Sequence, residues 1–90
     1  MDSEKLRVLV VDDMVIYRKV ISDLLAELPN VEVVGTAPNG KIGLERCEQL
    51  QPDLITVDLE MPEMDGLEVL RRLQTGRSRT GAIMLSAFNT

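Results

Sequence analysis

Four short apolar runs, separated by stretches whose hydrophobic residues recur at helical spacing, constrain this chain more than any other feature. Residues 6–11, LRVLVV, are apolar except for Arg7 and rich in β-branched side chains, as expected of a strand covered on both faces. After Asp12 and Asp13, apolar residues fall at Tyr17, Val20, Ile21, Leu24 and Leu28, one face of a helix that Pro29-Asn30 stops. Val31, Val33 and Val34 surround Glu32 and end at Gly35; a charge inside a β-branched run predicts a second strand nearer an edge. Pro38-Asn39-Gly40 breaks the chain, and Leu44, Cys47 and Leu50 give a second helical stripe that stops before Pro52. Residues 54–57, LITV, repeat the buried-strand pattern. A third helix follows, with Leu67, Leu70 and Leu73 inward, Glu68, Arg71 and Arg72 outward, and Thr75-Gly76 at its close. Residues 82–85, AIML, read as a fourth strand. Strand and helix alternate along one 90-residue domain, an α/β order that implies a parallel sheet with right-handed crossovers and helices on both faces.

The ends of these strands carry the chemistry. The first run stops on Asp12-Asp13, the third on Asp58 and the fourth on Ser86. Ligands of open parallel sheets bind at the carboxyl ends of the strands, so a parallel arrangement brings these four residues to the edge where a site is expected. Carboxylates about 4 Å apart repel by about 4 kcal/mol per pair at an effective dielectric near 20, which raises their pKa values and weakens the fold. A hard divalent cation removes that penalty. Magnesium suits the residues because it takes oxygen ligands, keeps several waters and binds through one or two carboxylates plus a phosphate. An acidic pocket of this kind beside a hydroxyl fits phosphoryl transfer. Plainer roles exist for each residue. Asp12 or Asp13 could cap the first helix, Asp58 could be a loop carboxylate, Pro62, Asp65 and Gly66 could be turn residues, and Ser86 could be a strand-end polar group. One cap needs only one aspartate, and the placement recurs at separate strand ends, so the functional reading is preferred for the three aspartates.

Composition removes several competing chemistries. There is no histidine, which excludes a histidine general base, a Ser-His-Asp triad and a histidine-containing zinc site. With a net charge of −5 and only Tyr17 and Phe88 as aromatics, the chain offers neither a basic groove nor stacking platforms, and no direct nucleic-acid binding is expected. Cys47 stands alone at an apolar helix position, read as a small buried hydrophobe in a reducing compartment. The N-terminal MDSEKLR is mixed in charge and followed by an apolar run too short for a signal peptide or membrane span, so a cytoplasmic protein is expected.

The stretches VLVVDD, LITVDLEMPEMDG and IMLSA, in this order, resemble the receiver domain of two-component response regulators, and the likeness spans essentially the whole chain. VEVVGTAPNG and DLEMPEMDGLEVLRRL are most similar to the receiver half of a chemotaxis protein-glutamate methylesterase. The resemblance implies a three-layer, flavodoxin-like fold with strand order 2-1-3-4. It implies Asp58 as phosphoacceptor, taking a phosphoryl group from the phosphohistidine of a histidine kinase or phosphotransfer protein. Asp13 and Asp58 would bind Mg2+ directly, Asp12 through water, and the Glu60 backbone carbonyl would complete the protein ligands. Ser86 would donate its hydroxyl to the acyl phosphate, with the Ala87 backbone N–H nearby. Met14 stands where this subfamily often has a small polar residue, a departure that bears on solvent access to the site. Receivers of this kind continue with a fourth helix, a fifth strand bearing a lysine and an aromatic residue, and a fifth helix. No counterpart is found here, the last lysine being Lys41.

That departure carries an expectation of its own. An open fourth-strand edge and an uncovered face on the first helix would invite self-association with a second copy. Two other functions compete with the phosphoacceptor. One is a scaffold that keeps the fold without phosphotransfer; the other is a Mg2+-dependent phosphatase using Asp58 as nucleophile, for which ninety residues leave no room for a substrate cap.

Overall fold

The computed structural model describes residues 5–59, 61, 63–76 and 79–85. Seven elements alternate as expected: β1 (Leu6–Val11), α1 (Val15–Ala26), β2 (Val31–Ala37), α2 (Gly40–Leu50), β3 (Leu54–Asp58), α3 (Gly66–Thr75) and β4 (Gly81–Leu85). All strands pair in parallel, in the order β2-β1-β3-β4. The site-bearing strands β1 and β3 are therefore neighbours at the centre, and β2 lies at an edge, as the charge of Glu32 predicted.

Strand pleating divides the core between two layers. Leu9, Val11, Ile55 and Val57 face α2 and α3, where Ala37, Cys47, Met61, Val69 and Leu73 complete one buried cluster. Val8, Val10 and Thr56 alternate with them and face the α1 side, and all three are buried. Cys47 is buried as expected, and burial pushes its thiol up to about 11, which removes it as a nucleophile near neutral pH.

Three sequence expectations change in detail. β2 does not stop at Gly35 but runs on through Thr36 to Ala37. The register with β1 shifts so that Val8 pairs with Val33 and Leu9 with Gly35, leaving Val34 as the extra residue of a bulge. Glycine suits that point because a Cβ there would meet Leu50 Cδ1 at 3.0 Å. On α3 the inward residues are Gly66, Val69 and Leu73; Leu70 is half-buried, and Leu67 points outward, 59% exposed. Asp65 caps α3, its side chain accepting the Glu68 N–H at 3.0 Å. Lastly, α1 ends at Ala26, so Leu28 lies beyond it, in the tight turn before Pro29. No residue of α1 is buried, and Val15, Ile16, Tyr17, Val20 and Leu24 are all exposed.

Gly43 sets how closely α2 approaches β1. A Cβ built on it would lie 2.9 Å from Val11 Cγ2, and Val11 sits on a strand flanked on both sides. Gly43→Ala should therefore cost about 1 to 3 kcal/mol of packing strain, only partly offset by about 1 kcal/mol of helix propensity. The expected result is a lower urea midpoint at unchanged slope.

Candidate metal centre

Parallel pairing delivers the carboxylates. β1 and β3 run side by side with Val11 opposite Val57, so Asp12 and Asp58, each following these residues, emerge at the same edge. One carboxylate oxygen from each of Asp12, Asp13 and Asp58 lies within 4.8 Å of the others. Asp12 and Asp58 are 4% and 8% exposed, while Asp13 is half-buried at the mouth. An octahedral ion at about 2.1 Å holds neighbouring oxygens about 3 Å apart and opposite ones about 4 Å apart. The trio therefore fits a small hard cation after minor side-chain rotation or with a water in one position.

Neither aspartate of the pair caps α1. The helix N-cap is Met14, which supplies no side-chain cap bond, whereas the Asp12 carboxylate accepts the Met14 N–H at 3.0 Å. A small polar residue at position 14 could have capped the helix; methionine leaves that bond unmade and keeps 46% of its surface in solvent. The turn residues of the sequence reading take helix-capping roles elsewhere: Asn39 accepts the Ile42 N–H at 2.8 Å to open α2, and Asp65 opens α3. Glu60, Pro62, Ser86 and Ala87 lie outside the described residues.

Burial is the main influence on Asp12, and it raises the carboxyl above its ordinary value of 3.8. The Met14 N–H opposes it, the charges of Asp58 and Asp13 push further up, and the Arg18 guanidinium pulls back down. Arg18 was not expected from sequence. Its Nη1 donates to the Asp12 backbone carbonyl at 2.8 Å. The available signal was a basic residue one helical turn past Met14, which follows the aspartate pair, placed among the apolar positions Tyr17, Val20 and Ile21.

A second concavity, an open groove of about 1060 Å³ between α2 and α3, lies at the opposite end of the strands. It is lined by residues including Cys47, Gln51, Asp53, Arg72 and Thr80, and the carboxylate trio does not border it.

Known proteins place this arrangement. The response regulator domain of Thermotoga maritima CheB is 39% identical with a TM-score of 0.87, over 93% of this chain and 62% of that one. The signal receiver domain of the putative response regulator NarL from Mycobacterium tuberculosis is 33% identical with a TM-score of 0.92, over 98% of this chain and 71% of that one. A protein-glutamate methylesterase/protein-glutamine glutaminase of Desulfotalea psychrophila is 52% identical over 87 residues, 97% of this chain and 24% of that protein. The chain thus spans about a quarter of the length of the curated relatives it matches. These likenesses agree with the methylesterase-type motifs and favour a regulatory module over a free-standing phosphatase. The response regulator receiver domain family matches residues 8–90, and with its strand order and its strand-end carboxylates both in place, the chain belongs to that family.

Proposed function

We propose that Asp58 is the phosphoacceptor of this receiver and that Asp12, Asp13 and Asp58 hold Mg2+ for the transfer. The observation that carries the reading is the convergence of three carboxylates within 4.8 Å at the carboxyl edge of the sheet. In the transfer, an Asp58 oxygen attacks the phosphorus of a phosphohistidine. The P–N bond breaks, its electron pair stays with the imidazole nitrogen, which takes up a proton, and an acyl phosphate forms. Bound Mg2+ supplies positive charge to the phosphoryl oxygens. By resemblance, Asp13 and Asp58 would hold the ion directly and Asp12 through water, a division that the engagement of one Asp12 oxygen by the Met14 N–H supports. By resemblance, the Glu60 carbonyl, the Ser86 hydroxyl and the Ala87 N–H complete the set.

The phosphohistidine comes from a partner, a histidine kinase or phosphotransfer protein, because this chain has no histidine. Likeness to the methylesterases supports control of such an activity in the cytoplasm as the output. No described helix is long and apolar enough to cross a membrane. The exposed apolar residues of α1 and the edge position of β4 support self-association with a second copy. A monomer by light scattering at micromolar concentration overturns that part.

The test of the central reading is intact mass after incubation with Mg2+ and acetyl phosphate. A gain of one phosphoryl group supports it; no gain leaves an interaction scaffold with the receiver fold.

Metal linkage offers a second measurement. Because the Asp12 carboxyl is raised in the fold, its contribution to stability is full below the unfolded value of 3.8 and is lost as pH rises through the folded one. At neutral pH the buried carboxylate therefore weakens the metal-free chain. Asp12→Asn keeps an oxygen for the Met14 N–H and should raise metal-free stability at pH 7. Mg2+ at a hundredfold excess over its Kd should stabilise the wild type by about 2.7 kcal/mol, and a tenfold affinity loss in Asp12→Asn should cut that gain to about 1.4 kcal/mol. Urea titrations with and without Mg2+ read both effects.

A further inference from the structure

We propose that Arg18 is a positioning residue for the metal site, fixing the peptide between Asp12 and Asp13 so that both carboxylates face the same ion; this rests on the Mg2+ reading above. Asp12 is tied on three sides. Its N–H donates to the Ala37 carbonyl of β2 at 3.1 Å, its carboxylate accepts the Met14 N–H at 3.0 Å, and its carbonyl accepts Arg18 Nη1 at 2.8 Å. The first two bonds orient Asp12 itself. The third is different, because the Asp12 carbonyl belongs to the peptide that leads into Asp13, and its direction sets where the Asp13 side chain begins.

The surroundings give that bond unusual weight. α1 has no buried residue and no side-chain N-cap, so neither packing nor capping fixes its first turn. Arg18 instead reaches back from that turn to the end of β1, while its own N–H donates to the Met14 carbonyl at 2.9 Å. Arg18, itself half-buried, thus joins a lightly packed helix to the strand that carries the site.

Charge and positioning predict opposite signs, which makes the proposal testable. Arg18 is a cation beside an anionic pocket, so if its charge alone mattered, removing it would tighten binding of a divalent cation. If it positions Asp13, removing it weakens binding. Groups that orient metal ligands without touching the metal typically change affinity by about 10- to 100-fold. The experiment is calorimetric titration of the full chain with MgCl2. Arg18→Met keeps an apolar stem of similar length and no donor; Arg18→Gln is a second neutral variant should the first lose its circular dichroism spectrum. Arg18→Lys keeps the charge and one route to the carbonyl. The expected result is about tenfold weaker Mg2+ binding in the neutral variants, with Arg18→Lys intermediate. Equal or tighter binding in the folded neutral variants overturns the positioning role alone. A wild-type chain that takes up no Mg2+ overturns it together with the metal reading.

Discussion

Asp58→Asn should gain no phosphoryl group from acetyl phosphate at times when the wild-type chain has gained one. Asparagine has nearly the same shape, so the fold persists, but its amide lacks the anionic oxygen that attacks phosphorus. Asp58 is 8% exposed and lies at the end of β3 beside the end of β1, a buried and central place at the edge that among the described carboxylates only Asp12 shares. Asp12 shares the burial, and its carboxylate accepts the Met14 N–H, a bond that holds it in a supporting position at the turn into α1. The substitution also removes one of the charges that press on Asp12, so the metal-free chain should be no less stable than the wild type. Intact mass gives the chemical result and a urea curve gives the stability. A phosphoryl group on Asp58→Asn would move the acceptor to another residue and overturn the assignment.

The second large effect lies in the core. Ile55→Ala should cost about 2 to 5 kcal/mol, the range for truncating a buried aliphatic side chain where neighbours cannot close the gap. Ile55 is fully buried on β3, opposite Leu9 on one side and Ala82 on the other, and belongs to the cluster that includes Val69 and Leu73 of α3. Its strand neighbours are held by their own ladders and cannot move in. A domain of this size loses about 4 to 8 °C of Tm per kcal/mol, so thermal unfolding should fall by about 8 to 40 °C. Ile83→Ala is the control: Ile83 sits on the edge strand β4 at 46% exposure, and its loss should cost under about 1 kcal/mol.

Sequence made much of this legible because the strong signals were local. The apolar run of β1 and the stop on Asp58 at the end of β3 came through to the residue, since a buried strand and its polar terminus are both written in consecutive letters. The trio Asp12, Asp13 and Asp58 followed from parallel pairing alone. The α3 face did not follow. Leu67, Leu70 and Leu73 form one stripe and Gly66, Val69 and Leu73 another; the two share Leu73, and only packing against α2 and the sheet selects the second. The extension of β2 past Gly35 was hidden for a similar reason, because glycine and threonine read as a stop until the bulge pairs them with β1. Arg18 was missed because its bond goes to a backbone carbonyl, and a carbonyl leaves no mark in the sequence.

The separation of the two central strands along the chain has a kinetic consequence. β1 and β3 are joined by contacts such as Arg7 N–H to Asp53 Oδ2, across 46 residues, with β2 and two helices in between. Contacts that close so long a loop form late and slow the folding reaction. The carboxylates of Asp12 and Asp58 meet only once that loop is shut, so the ion finds its ligands only after the barrier has been crossed. Mg2+ should therefore leave the refolding rate nearly unchanged and act almost wholly by slowing the unfolding arm of the chevron.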